Sequence, residues 1–412
     1  MNRQAIAVVL TAAFLGGPMS QPSWAQRRAE PVHLPEGPAR ELVLATCTEC
    51  HRLNLIANSW GYDEEGWKRL FSSMVELPSD EADRVAGYLA EHFPEQPAPE
   101  AVAILGEAKV SIREWLLPTL GSRPHDPLAA RDGSLWWTGQ WSDVLGRLDP
   151  VTGAMKEYPL PRESGPHGLA EDAMWNVWFT GISRNYIGKL DPTTGEVMQY
   201  PVTVEGARGP HTPIFDQKGT LWFTLQSGMV GRLVPETGDM TIVTTPSDTT
   251  YPYGIAVNSA GVPWYVDFRG NRVGRVDPDT MEIREYDLPS AEARPRRIAI
   301  TPDDIVWYTD YARGYLGRFD PATGEAREWP SPGGAESRPY GITAVGRVVW
   351  YSESSVRPNT LVRFDIDKES FQTWVIPSGG GVVRNIMATS SGNLVLACSG
   401  VNRLALVEIG ES

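Results

Sequence analysis

A mainly β fold, a seven-bladed β-propeller preceded by a small all-α domain, is the architecture this sequence predicts. Three observations carry it. A tryptophan recurs at positions 136, 178, 222, 264, 307 and 350, a period of 42 to 44 residues, and self-similarity at that period marks a solenoid, an array or a propeller. Each copy contains four short apolar or alternating runs, none long enough or periodic at 3.6 residues for a helix. Residues 27–95 share none of this pattern and read as helices.

The second copy shows the grammar of the repeat. Its runs are His167–Ala170, Val177–Thr180, Ile187–Leu190 and Val197–Pro201, with the turn Asp191-Pro192-Thr193-Thr194-Gly195 between the last two. Proline presets φ there and glycine accepts φ > 0. Four strands per repeat, arranged radially, make propeller blades. Six clear copies start at Ser122, Ser164, Ala207, Thr250, Ala293 and Ser337, and a seventh, Val382–Ile409, lacks its last strand. A matching run, Ser111–Pro118, precedes the first copy and is expected to complete the seventh blade, leaving no unpaired edge between the chain ends.

The rest of the chain divides around the repeat. Residues 1–25 read as a secretion signal: Arg3 in the n-region, the apolar run Ala5–Leu15, and Ser23-Trp24-Ala25 at the cleavage site. That run is too short to span a bilayer, and no later stretch is long and apolar enough, so the mature protein is expected to be exported, periplasmic and without a membrane span. A small helical domain occupies 26–93, a proline-rich linker 94–108 (Pro94–Glu100 is PEQPAPE), and the propeller 109–412. The formal net charge of −14 argues against nucleic acid as a partner.

A helix predicted over Glu41–His51 carries Cys47-Thr48-Glu49-Cys50-His51. Positions i, i+3 and i+4 of a helix share one face. Two thiols there can add to the vinyl groups of a haem while the adjacent imidazole reaches its iron, and C-x-x-C-H is the spacing of c-type attachment. A zinc pair would need two further ligands of matching type nearby, and none is visible; a structural disulfide is the other alternative. The reading is one covalent haem c on Cys47 and Cys50, with His51 as axial ligand. Met74, on the apolar face of a helix predicted over Glu64–Glu76 with Trp67, Leu70 and Phe71, is the expected second iron ligand, with His92 or an open position as alternatives. After Pro78, Ser79 is expected to cap a further helix.

The propeller motifs Pro166-His167-Gly168-Leu169, Val177–Thr180, Gly188-Lys189-Leu190-Asp191 and Glu157–Leu160 resemble those of the streptogramin (virginiamycin B) lyase family, over Lys109 to Ile409. The resemblance implies a propeller that opens a cyclic peptide lactone by magnesium-assisted elimination. It places the functional histidines in P-H-[AG]-I motifs of two late blades, with a glutamate two residues before one of them. Here those positions hold Arg296 and Tyr340, with Arg338 at the glutamate position.

Other groups collect on the same face. The motif position after proline is His125, His167 and His211 in blades one to three, half of the six histidines in the chain. The residue closing the next strand is Asp267, Asp310 and Glu353 in blades four to six. These six are expected to form a funnel site for a small molecule or a divalent metal such as magnesium, with Tyr253, Arg296 and Tyr340 between them; the alternative is that the P-H-G motif is a strand-entry turn. Cys398 reads as a buried, inert thiol. Three functions follow as expectations: a periplasmic redox protein in which the propeller binds a substrate or redox partner and the haem passes one electron, a lyase with a relocated site and an attached cytochrome, or a docking scaffold.

Overall fold

The tryptophan repeat folds as seven four-stranded antiparallel sheets. The structure, a computed structural model, describes residues 33–48 and 52–410. The signal segment, Cys50 and His51 lie outside the described residues. Blade one is Pro124–Ala129, Leu135–Gly139, Val144–Leu148 and Met155–Pro159, counted from the innermost strand outward, and blades two to six repeat this order. Blade seven takes Val383–Ala388, Leu394–Cys398 and Arg403–Gly410 from the end of the chain and Lys109–Leu116 from before blade one. That last strand pairs antiparallel along its whole length, from Lys109 opposite Gly410 to Leu116 opposite Arg403.

Each letter of the repeat has a packing role. Trp136, Trp178, Trp222, Trp264, Trp307 and Trp350 are buried. In five of the repeats the ring lies 5.3 to 5.8 Å from an outer-strand aromatic of the same copy, such as Tyr158, Tyr200 or Trp374. The third-strand glycine lies against the aromatic ring that follows the tryptophan. A Cβ on Gly188 would come within 2.2 Å of Phe179. The threonine that follows couples neighbouring blades. The Thr138 hydroxyl accepts from the Asp126 amide in its own blade and donates to the His167 carbonyl in the next, at 3.0 and 2.9 Å. Thr180, Thr224, Thr309 and Ser352 do the same further round the ring. A hydroxyl that accepts and donates at once satisfies two buried backbone groups that a methyl would strand.

The helical segment contains α1 (Arg40–Cys47), α2 (Asn54–Ala57), α3 (Glu64–Phe71) and α4 (Ser79–His92). Val43, Ile56, Trp67, Phe71, Val85 and Leu89 share one buried cluster. Asp63 caps α3, its carboxylate accepting from the Gly66 amide at 2.6 Å. Two expectations are corrected here. The helix predicted to reach Glu76 stops at Phe71, so Met74 sits in the following turn, its amide bonded to the Phe71 carbonyl at 2.8 Å. Ser79 does not cap α4: it is the first helical residue, and Pro78 holds the cap position. The helix expected through His51 is described only to Cys47.

The linker does not hang free along its whole length. Pro94 to Pro97 are exposed, but Pro99 accepts from the Arg357 amide at 2.8 Å, and Ile104 exchanges bonds with Thr373 on blade six at 2.8 and 3.0 Å. Arg357 also donates to the Gly61 carbonyl at 2.8 Å and stacks 4.2 Å from the Tyr62 ring, tying the helices to the same blade.

Candidate functional site

The innermost strand of each blade begins with a proline or valine followed by one side chain at the propeller axis. Around the ring these are His125, His167, His211, Tyr253, Arg296, Tyr340 and Arg384. The first four rings touch in succession, with centroids 3.6, 3.8 and 3.9 Å apart. The structure therefore brings the three predicted histidines together. All three are buried, and burial, followed by neighbouring imidazole and guanidinium groups, holds them well below the usual imidazole range. They are neutral at neutral pH.

The residue after each ring position forms a second layer: Asp126, Gly168, Thr212, Gly254, Arg297, Gly341 and Asn385. Glycine is required where space runs out; a Cβ on Gly168 would lie 2.2 Å from Pro213. Arg297 crosses the axis. It donates to both Asp126 oxygens at 2.6 and 3.3 Å and to Thr212 at 3.1 Å, while Asn385 donates to Asp126 at 3.1 Å. Below this plug lies a cavity of about 570 Å³, walled by Leu169, Ile255, Ile298, Ile342 and Ile386. Sequence reasoning missed Asp126, Arg297, Arg384 and Asn385: Arg384 lies in the histidine column of the repeat, and the other three in the column after it.

Asp267, Asp310 and Glu353 do lie at the same strand ends as the ring, opposite Pro252, Pro295 and Pro339. Their carboxylates turn into their own blades instead of joining the histidines. Asp267 accepts from the amides of Tyr251 and Arg269. Asp310 accepts from the amide of Arg294 at 2.9 Å and from Arg313 Nε at 2.6 Å. Glu353 accepts from Ser331, the Gly333 amide and Thr360. Each is a buried loop staple; Asp267 makes its hydrogen bonds through Oδ1, while Oδ2 has only the Arg272 guanidinium at 3.5 Å.

This bears on a divalent metal. His125, Asp126 and His167 offer ligand atoms within 4.8 Å of one another. Asp126 is already bound by Arg297, and Arg123, Arg296 and Arg384 stand nearby. Magnesium requires oxygen ligands in octahedral array. One carboxylate among guanidinium cations does not fit it.

The Tyr–Arg side of the ring is a cage. Arg296 lies 3.8, 4.2 and 4.5 Å from the rings of Tyr340, Tyr311 and Phe268. Burial opposes its charge, but the phenols of Tyr253, Tyr340 and Tyr311 more than offset this and hold it in the cationic form.

Above the ring, the helices and the propeller enclose an apolar cavity. Cys47, Leu70, Phe71 and Met74 line it from the helices, and Arg123, Trp141, Val382 and Arg384 from the propeller. A thiol, a thioether and an apolar wall are the donor set and surroundings that suit haem c. Cys50 and His51, the other two residues of the motif, lie outside the described residues. His92 stands apart, packed on Tyr88 with centroids 4.4 Å apart, and does not line this cavity.

Seven blades closed by an N-terminal strand, with polar groups gathered on the axis, define a seven-bladed β-propeller. The chain belongs to the virginiamycin B lyase family, whose model matches residues 100–344. A stretch of 72 residues is 44% identical to virginiamycin B lyase of Nocardia farcinica (strain IFM 10152), spanning 17% of this chain and 24%, about a quarter, of that protein's length. In fold it is similar to a streptogramin B lyase structure, with a TM-score of 0.67, 24% identity and coverage of 73% of this chain and 98% of that one. Virginiamycin B lyase from Staphylococcus aureus matches at a TM-score of 0.66 and 21% identity, over 73% of this chain and 99% of that one.

Proposed function

We propose that the chain is an exported, periplasmic c-type cytochrome whose lyase-type propeller binds a small molecule or a redox partner beside the haem. Cys47, Cys50 and His51 would hold the group, with Met74 as second axial ligand. What supports this most is that Cys47 and Met74 line one cavity with Arg123, Trp141 and Arg384 of the propeller, so the first residue of the motif faces the propeller axis. Haem c, when bound, supplies reversible one-electron chemistry.

The chain's own residues do the remaining work. Leu70, Phe71 and Val382 give the cavity an apolar wall, which lowers its dielectric. The Met74 thioether is a soft, neutral ligand, the kind that raises an iron potential. The neutral imidazoles of His125, His167 and His211 are proton acceptors at the axis, held uncharged by burial and the arginines around them.

The full-length protein, made in a host with periplasmic c-type maturation, is titrated electrochemically while its visible absorption is followed. One reversible one-electron wave is expected, and Met74→Ala should move it to lower potential. A colourless, redox-silent protein contradicts the proposal. Opening of a streptogramin lactone is the second reading. It is favoured by the 44% identity to a virginiamycin B lyase over 72 residues, and would have to proceed with Arg296 and Tyr340 where the resemblance places histidines. Ring-opening by this protein, unaffected by Tyr340→Phe and Arg296→Gln, would exclude those two side chains from such a reaction.

A further inference from the structure

We propose that Arg123 and Arg384 form a carboxylate-binding site where the propeller axis meets the helical segment. Both side chains line the cavity that also holds Cys47 and Met74. Arg123 immediately precedes the first inner strand and Arg384 lies in the last, and chain closure sets them side by side. The site deepens the functional reading above without depending on it, because the charges stand whether or not haem is attached.

The argument is one of charge balance. Arg123, Arg296, Arg297 and Arg384 are grouped around the axis. Asp126 neutralises Arg297. Among the described residues no carboxylate lies within salt-bridge distance of Arg123, Arg296 or Arg384, and the Nε atoms of Arg296 and Arg384 are buried without a hydrogen-bond partner. Burial, and after it the Arg384 cation, pulls Arg123 down to about 9. Arg123 and Arg384 are partly buried, a desolvated cation without a counter-charge is costly, and native proteins pair such groups. The histidines cannot supply the counter-charge, since they are neutral or cationic at any pH a protein experiences, and the Tyr340 phenol supplies one beside Arg296 and Arg384 only as the pH rises through about 8.

The shape of the site fits a carboxylate on an apolar body. Arg123 stacks over Trp141 at 4.4 Å, which fixes the guanidinium plane and leaves its in-plane N–H groups for a ligand. Its backbone is left-handed, with φ of 55°, a conformation that costs a non-glycine residue roughly 1–2 kcal/mol. The opposite wall is Leu55, Ile56, Leu70 and Phe71, so a fully hydrated anion is a poorer match than an amphipathic acid. Two sources share this chemistry: the propionates of a haem in the cavity, and a free carboxylate ligand with an apolar tail.

Two measurements on the full-length protein test the site and separate the sources. The resonance Raman propionate bending mode of the haem is compared among wild type, Arg384→Gln and Arg384→Lys. A shift in the glutamine variant that lysine reverses assigns the site to the haem's own carboxylates. Octanoate is then titrated against the melting temperature. A saturable rise in wild type that is lost in Arg384→Gln assigns it to a free carboxylate. Arg123→Gln repeats both measurements at the other side of the site, should Arg384→Gln not fold. If the protein carries no haem, the functional reading fails but the octanoate titration still decides this one. An unshifted Raman mode, or no haem at all, together with no saturable response to octanoate overturns the proposal.

Discussion

The hydroxyls of Tyr253 and Tyr340 lie 2.6 Å apart, although the two residues are 87 positions apart and two blades distant. Arg296, from the blade between them, donates to the Tyr253 oxygen at 3.3 Å and covers the Tyr340 ring. One pair of phenols thus shares a proton beside a fixed cation.

That pair gives a pH prediction. Burial alone raises both phenols. Around Tyr340 the cations of Arg296, Arg384 and Arg297 reverse this and bring it down to about 8, while Tyr253 stays above the ordinary range. The folded value lies below the unfolded one of about 10. Ionised Tyr340 therefore contributes stability that is complete above pH about 10 and is lost as the pH falls through about 8. Near-ultraviolet absorbance should show one equivalent of tyrosinate forming near pH 8. Tyr340→Phe should remove it and Arg296→Gln should move it to higher pH. A native protein with no tyrosinate until the ordinary phenol range contradicts the arrangement.

The axial plug makes a stability prediction. Asp126 and Arg297 are both buried, with side chains 3% exposed. Asp126→Ala leaves the Arg297 cation unpaired and should cost about 3–5 kcal/mol in denaturant unfolding. Asp126→Leu with Arg297→Met should recover much of that loss. Equal losses in the single and double variants would show that the pair is not what holds the axis.

Asp310 separates a loop staple from a reactive group. Removing its carboxylate strands the Arg294 amide and takes the partner from Arg313 Nε, while Glu328 still holds the other end of that guanidinium. Asp310→Ala should lower stability by at least about 2 kcal/mol and leave any haem potential unchanged. Unaltered stability with a displaced potential would return Asp310 to the functional site.

Closure by the N-terminal strand is tested by deletion. Without 109–116 the strand Arg403–Gly410 keeps Leu394–Cys398 on its inner side but loses its outer partner along its whole length. The truncated protein should aggregate, because a long unpaired edge recruits other chains. Light scattering after purification measures this, and a monodisperse truncated protein would contradict the closure.

Much of this architecture was legible because a propeller writes the same local rules seven times. The Trp period, the turn residues and the Thr position each report contacts within a blade or with the next one. The placement of His125, His167 and His211 at the axis followed from strand order alone. The acids were harder. Strand register put Asp267 at the right end of its strand, but not the direction of its side chain, which is settled by the free Tyr251 and Arg269 amides beside it. The Asp126–Arg297 pair joins residues 171 positions apart across the axis, and no local pattern marks it. The cavity wall made by Arg123 and Arg384 exists only once the ring has closed. The spacing of Met74 predicts a helix, yet the helix ends three residues earlier and the turn directs Met74 to the same cavity.

The central claim is that Cys47 and Cys50 carry one haem against the propeller axis, and intact mass spectrometry of the exported protein tests it most directly. Under denaturing conditions the mass should be that of the chain from residue 26 plus one haem, and the Cys47→Ser, Cys50→Ser variant should lose the addition. A wild-type protein, matured in a competent host, whose mass is that of the unmodified polypeptide would contradict the account.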